Sequence, residues 1–141
     1  MDLHRLFFSF DGRIGRQAYW LGFSLLVATA LACWTIIIGL GGDERAVAIA
    51  ELALIYPEFA IVLKRANDRE TPLPVVIAYF VLEVILSALP VLGLAGPAGQ
   101  TSDLFWIVFL PWLLVGVYLL VELGFRRGVS GPNRFGPDPL Q

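Results

Sequence analysis

The chain has 141 residues, 57% of them hydrophobic and only 16% charged, with a formal net charge of −2. A soluble domain carries roughly 25% charged residues, so a surface facing water on all sides is not expected, and a net charge this small gives no argument for nucleic acid. Cys33 and His4, the single cysteine and single histidine, make neither an internal disulfide nor a zinc set, so no metal or other cofactor is expected.

A helix needs about 20 apolar residues to cross the hydrocarbon of a bilayer. The run Trp20 to Leu40 holds no charged residue and meets that length. It exceeds the roughly 7–15 residues of a signal-peptide core, so a retained membrane helix is predicted, with Cys33 buried in it. Tyr19 and Trp20 open it, aromatic residues that prefer the headgroup level. Ala46 to Leu63 carries Glu51 and Glu58. Its apolar residues favour insertion by about 0.3–0.6 kcal/mol each, while an acid at mid-helix costs roughly 3 kcal/mol, so energy alone leaves this span undecided. Leu73 to Leu94 is interrupted by Glu83, and Leu104 to Leu123 holds Glu122 at its far end.

Charge placement decides the second span. Arg5, Arg13 and Arg16 precede the first run, Lys64, Arg65 and Arg69 follow the second, and Arg126, Arg127 and Arg134 follow the fourth. Four crossings put every basic residue except Arg45 on one side, the cytoplasmic side by the bias of Lys and Arg. The predicted fold is therefore all-α: one transmembrane domain over 1–141, a four-helix bundle of two hairpins with both termini cytoplasmic. Its spans are about 20–40, 46–63, 73–94 and 104–123, and its cytoplasmic segments are 1–19, 64–72 and 124–141. Gly39, Gly41, Gly42 and Asp43 form one tight outer turn; Gly93, Gly96, Pro97, Gly99 and Asp103 form the other. Such short links favour antiparallel neighbours.

Several residues inside the spans invite chemistry. Pro57, Pro90 and Pro111 each free a carbonyl four residues earlier, as a hinge or, more commonly in membrane helices, a static kink. Glu83 lies about 13 Å into its span at about 1.5 Å per residue, near mid-bilayer, with no Lys or Arg in another span to pair with it. Ser24, Thr29, Tyr118 or proline-freed backbone are its expected partners. A functional acid and a protonated packing residue both remain open. Glu51 and Glu58, seven apart, share a helix face that should turn inward. Glu122 and Arg126 are spaced for a structural helical pair at the membrane edge.

Three motifs lie on the basic side. They are Gly12-Arg13-Ile14-Gly15-Arg16-Gln17-Ala18-Tyr19-Trp20, preceded by Phe7, Phe8 and Phe10; Lys64-Arg65-Ala66-Asn67-Asp68-Arg69; and Gly131-Pro132-Asn133-Arg134-Phe135-Gly136-Pro137-Asp138-Pro139. Together they resemble the bacterial inner-membrane family known as domain of unknown function 805, from about Leu6 to Pro139. The middle motif departs from the family's usual Arg-Arg-Leu-His-Asp followed by Ser-Gly-Trp. Lys64, Ala66 and Asn67 replace the first Arg, the Leu and the His, and Thr71-Pro72-Leu73-Pro74 stands where Ser-Gly-Trp would. The resemblance implies a multi-pass protein of the bacterial inner membrane and brings no established activity.

Arg13 and Arg16, three apart, are expected on one side of a short helix, with Phe7, Phe8 and Phe10 in the interface beside them. They can hold lipid phosphates. They can equally pair with Asp68 or Asp138 and clip the three segments together, which is the favoured expectation. Asn133, Gly136 and the flanking prolines suit a rigid turn. The candidate site on the cytoplasmic face is thus Arg13, Arg16, Lys64, Arg65, Asp68, Asn133, Arg134 and Asp138. The expected function is a non-catalytic module that binds a protein partner or lipid through that face. The alternative is a small oligomeric transporter or channel using Glu83 and Glu58. An enzyme comes last, because no nucleophile–base pair, metal set or phosphate-cradling loop is present. Membrane lipids, a protein partner and further copies of the chain are the partners to expect.

Overall fold

The computed structural model describes residues 2–96 and 101–139. Its elements are α1 (Leu3–Phe8), α2 (Arg16–Gly39), α3 (Glu44–Arg69), α4 (Leu73–Val91) and α5 (Asp103–Leu119), the last running on into a π-helical segment, Leu120–Phe125. Four of the helices are long and apolar enough to cross a membrane, counting α5 with its π-helical extension. The segment from Arg126 to Pro139 is irregular, apart from one turn closed by Asn133 and Gly136.

Local chemistry sets the helix ends. Asp2 caps α1 by accepting from the amides of His4 and Arg5, Asp43 caps α3 through Ala46, and Ser102 caps α5 through Phe105. At the other ends, α2 and α4 stop in the same way. Gly41 and Gly93 take left-handed backbone angles, with φ of 83° and 73°. The amides of Gly42 and Leu94 then reach back to the carbonyls of Ile37 and Leu89, both at 2.8 Å, satisfying acceptors that a helix end otherwise leaves bare. Of the residues expected in the second outer turn, Pro97 and Gly99 lie outside the described residues.

Helix α3 runs further than its apolar stretch. Lys64 to Arg69, expected in a connecting segment, ride on its last turns, and only Glu70 to Pro72 links α3 to α4. The helix continues because Asp68 and the basic residues find partners without leaving helical geometry. It also continues through Pro57, as α5 does through Pro111. Pro90 stands one residue before the end of α4.

α3 is the shared element. It packs on α1, α2, α4 and the π-helical segment, while α5 packs on α4. The core is gathered at one end of the bundle: Tyr19 from α2, Ile61, Val62 and Ala66 from α3, Val76 and Phe80 from α4, with Leu119 and Leu123 closing it. This is also the end where the basic segments meet, and it is called the polar end below. Lipid does not press apolar helices together, so close backbone approach has to do part of that work. Gly22 lies under Ile61, Gly116 under Tyr79 and Gly124 under the Trp20 ring. α2 and α5 turn most of their apolar side chains outward; Ile107 is 68% and Leu114 72% exposed. A soluble monomer rarely exposes so much contiguous apolar surface, whereas lipid accommodates it. Cys33, on α2, is half-buried rather than buried.

Glu70 ends α3 with φ 54°, a left-handed angle that a side chain disfavours. Glu70→Gly is therefore expected to stabilise the protein by about 0.5–1 kcal/mol. Thermal unfolding in detergent micelles reads the gain, and an unchanged or lower midpoint contradicts it.

Candidate functional site

At the polar end three segments distant in sequence converge on the last two turns of α3. Arg13 lies in the extended link before α2, not on a short helix with Arg16, because Gly12 takes φ 90° and helical structure begins only at Arg16. That geometry turns the two arginines to different tasks. The Arg13 Nε and Nη2 donate to Asp68 Oδ1 at 3.0 and 2.8 Å. Nη1 donates to the carbonyls of Gly131 and Gly136, and Nη2 also to that of Val129 at 2.6 Å. A guanidinium has five N–H groups, and all of those on Arg13 are engaged.

Arg65 approaches the same carboxylate from α3 itself. Its Nη1 pairs with Asp68 Oδ2 and reaches the Ile14 carbonyl; Nε donates to Leu123 O at 2.7 Å and Nη2 to Arg126 O at 2.6 Å. Arg65 is 1% and Asp68 2% exposed. The Asp68 carboxylate occupies the space that a Cβ on residue 128 would need, so Gly128 is required by contact. Val129 closes the junction, its amide donating to the Asp68 carbonyl at 2.9 Å.

The carbonyls to which Arg65 donates belong to a helix end, where backbone oxygens lack partners and negative partial charge accumulates. Each carbonyl from Leu123 to Arg127 receives a side-chain donor from another helix: Arg65 on Leu123 and Arg126, Trp20 Nε1 on Gly124 at 3.0 Å, Arg16 on Phe125 at 3.3 Å, and Arg69 on Arg127. The π-helical winding here leaves those oxygens available to side chains. Lys64 does the same for α1, its Nζ donating to the carbonyls of Arg5 and Leu6, both at 2.6 Å. Glu122 takes Arg69 at 2.6 Å and Arg126 at 2.9 Å, the latter being the helical pair its spacing suggests.

The tail is held by its own turn. Asn133 and Gly136 exchange backbone hydrogen bonds, the Asn133 Oδ1 accepts from Phe135 N at 2.9 Å, and its Nδ2 donates to Asn67 O at 3.0 Å. Asn67 in turn donates to Gly12 O. Asp138 accepts from Gly131 N at 3.0 Å. Arg134 points outward and lies over the Phe135 ring, 4.6 Å from its centroid. Of the sequence-predicted set, then, Arg13, Lys64, Arg65, Asp68 and Asn133 come together as one polar joint, Asp138 braces the tail, and Arg16 and Arg134 lie at its rim.

The intramembrane acids form a separate group. Glu58 and Glu83 approach each other across α3 and α4, and Tyr79 donates to Glu58 Oε1 at 3.3 Å. The neighbour of Glu83 is thus another acid, not Thr29 or Tyr118. Thr29 returns its hydroxyl to the Leu25 carbonyl, and Tyr118 lies on the exposed face of α5. The second Glu83 oxygen and the Trp112 Nε1 are buried without a partner among the described residues. Glu51 does not turn inward with Glu58. Seven residues separate them, about 10 Å along the axis at about 1.5 Å per residue, and that takes Glu51 out of the packed zone towards the outer turn.

Trp20, Gly124, Gly128 and Arg127 belong to this end without having been among the sequence-predicted site residues. Arg127 carries a legible signal: Arg126 has an acid four residues earlier and Arg127 has Leu123 there. Contacts of Gly124 and Gly128 depend on segments too far away in sequence to be read.

An all-helical bundle with four membrane-length apolar helices, sealed at one end by buried ion pairs, defines a multi-pass membrane protein. The family model described as "Protein of unknown function (DUF805)" matches residues 7–137, and the chain belongs to that family. It is similar to "Uncharacterized protein YiiR" of Escherichia coli strain K12, at 29% identity over 148 residues, covering 98% of this chain and 90% of the relative. The same figures hold for the protein of that name in Escherichia coli O157:H7. No solved structure matches.

Breaking a buried ion pair typically costs about 3–5 kcal/mol. Arg13→Ala is expected to lose stability on that scale in detergent, and Asp68→Ala added to it should cost much less than the two single losses combined. Chemical denaturation of the two single variants and the double variant measures the coupling, and additive losses would dismiss it.

Proposed function

We propose that the protein is a non-catalytic membrane module whose polar end is a rigid basic platform for an anionic partner, either a lipid headgroup or an acidic protein surface. One observation carries this proposal. The inner arginines are consumed by internal acceptors, while Arg16, Arg127 and Arg134 keep donors facing outward. The buried joint fixes the platform and the rim does the binding. The bias of Lys and Arg supports a cytoplasmic position for this end, and for both termini, at the inner membrane. Native mass spectrometry of the chain extracted from its membrane is expected to show bound anionic lipid or a companion protein. A variant with Arg16, Arg127 and Arg134 all changed to Glu should emerge bare but folded. Wild type and variant that emerge equally bare would remove the proposal.

A second function, proton or cation movement in an oligomer, is favoured by the meeting of Glu58, Glu83 and Tyr79 beside a cavity of about 200 Å³ that Trp112 also lines. Reconstituted vesicles should then show a flux that Glu83→Gln abolishes. Flux that persists unchanged in that variant takes the acid out of any such pathway.

A further inference from the structure

A cavity of about 240 Å³ opens at the polar end between the first turn of α2 and the start of the tail, with Arg16 and Arg127 on its two sides and Ser130 at its edge. Its inner wall is the ion-paired Arg65 and Asp68. Among its charged lining residues, Arg16, Arg65 and Arg127 stand against Asp68 and Asp138, which leaves positive charge in excess. Arg13, paired to the same Asp68, adds to that excess.

The two rim arginines have donors to spare. Arg16 spends one N–H on the Phe125 carbonyl at 3.3 Å. Arg127 lends the fold only its backbone carbonyl, and its exposed guanidinium makes no hydrogen bond or ion pair with the described residues. Guanidinium groups bind phosphate through paired N–H donors, and two of them facing one cavity from different elements suit a single phosphate group.

The height of the cavity indicates where that phosphate comes from. Arg16 stands one helical turn before Trp20, whose indole bonds to Gly124 and packs on Phe125 at 5.5 Å. Tryptophan at the end of an apolar span marks the headgroup layer. Leu21 and Phe125, both largely exposed, carry the neighbouring surface directly into the lipid-facing side of the bundle. A phosphate in this cavity would thus lie at the depth of the bilayer's own phosphates, with acyl chains free to run along α2 and the end of α5.

We propose that the cavity between Arg16 and Arg127 binds the phosphate of an anionic lipid headgroup. The proposal rests on the basic platform and names its ligand. The intact chain in detergent is titrated with phosphatidylglycerol, with phosphatidylcholine, whose choline cancels the phosphate charge, and with inorganic phosphate. Binding is read by native mass spectrometry and by Trp fluorescence. Phosphatidylglycerol should bind about tenfold more tightly than phosphatidylcholine, and Arg127→Ala and Arg16→Ala should each weaken it about tenfold. Arg45→Ala, at the far end of the bundle, should leave the preference intact. The Arg127 guanidinium has no partner among the described residues, so its variant should keep the wild-type melting temperature, which separates lost binding from lost fold. Inorganic phosphate that binds with no preference between the lipids overturns the lipid source. Equal affinity for both lipids, or a preference that survives both cavity variants, overturns the site. In that last case, loss of the preference in Arg134→Glu leaves the platform standing without this cavity, and its persistence there removes both.

Discussion

Asp68 stands between two guanidinium groups in a setting with almost no water. Taking each ion out of water costs several kcal/mol, and mutual attraction repays this only when the remaining donors are also satisfied. Here the satisfaction comes from backbone. Arg13 spends its outlying N–H groups on Val129, Gly131 and Gly136, and Arg65 spends its own on Leu123 and Arg126. Those carbonyls are within reach because the chain leaves helical geometry after the π-helical segment and, among the described residues, makes only the bridge between Asn133 and Gly136. Burial of the charges and ordering of the tail are thus conditions of each other. The Asp68 carboxylate can sit so close only because residue 128 is glycine.

The same joint compensates for what lipid does not supply. Apolar side chains on α2 and α5 gain little by leaving lipid for one another, so the helices need other reasons to stay together. Glycine contacts bring α2 within reach of α3 and of the π-helical segment, and Trp20, Arg16, Arg65 and Arg69 bind that segment's terminal carbonyls. Lys64 fastens α1 to α3 by the same chemistry. The packed core is found at this end for that reason, while Ala48, Leu89 and Val108 are buried outside it, towards the opposite end.

The four crossings were legible because they depend on local quantities: run length, hydropathy and the side on which Lys and Arg fall. The outer turn at Gly41 was legible too, since glycine answers a requirement of its own backbone. Pairing Arg13 with Asp68 was readable as one of several options, because residue type fixes charge but not distance. What stayed hidden was the acceptor side. No residue type announces that the carbonyls of Leu123 to Arg127 are free, since that follows from a π-helical winding and from where α3 lies. The surroundings of Glu83 were hidden for a related reason: its own residue type suits hydroxyl or backbone partners, and only the packing of α3 on α4 brings Glu58 beside it.

Arginine therefore performs two tasks at one end of this molecule, and the number of free N–H groups tells them apart. Arg13 has none left and serves as a fastening, whereas Arg127 spends none on the described residues and faces outward. The intramembrane acids are not isolated from this division. Glu51, Glu58 and Arg65 recur at seven-residue intervals and so lie along one side of α3, drifting only about 20° per heptad. One row thus passes from an exposed acid, through the Glu58–Glu83 contact, to the buried arginine that anchors the tail. Pro57, beside Glu58, removes a backbone hydrogen bond between the acid contact and the outer end, and the stretch from Glu58 to Asp68 contains no such break. A rotation of this inner stretch that separates Glu58 from Glu83 must also turn Arg65 away from Leu123 and Arg126. The two polar sites belong to different solvents, and both are carried by the unbroken half of a single helix.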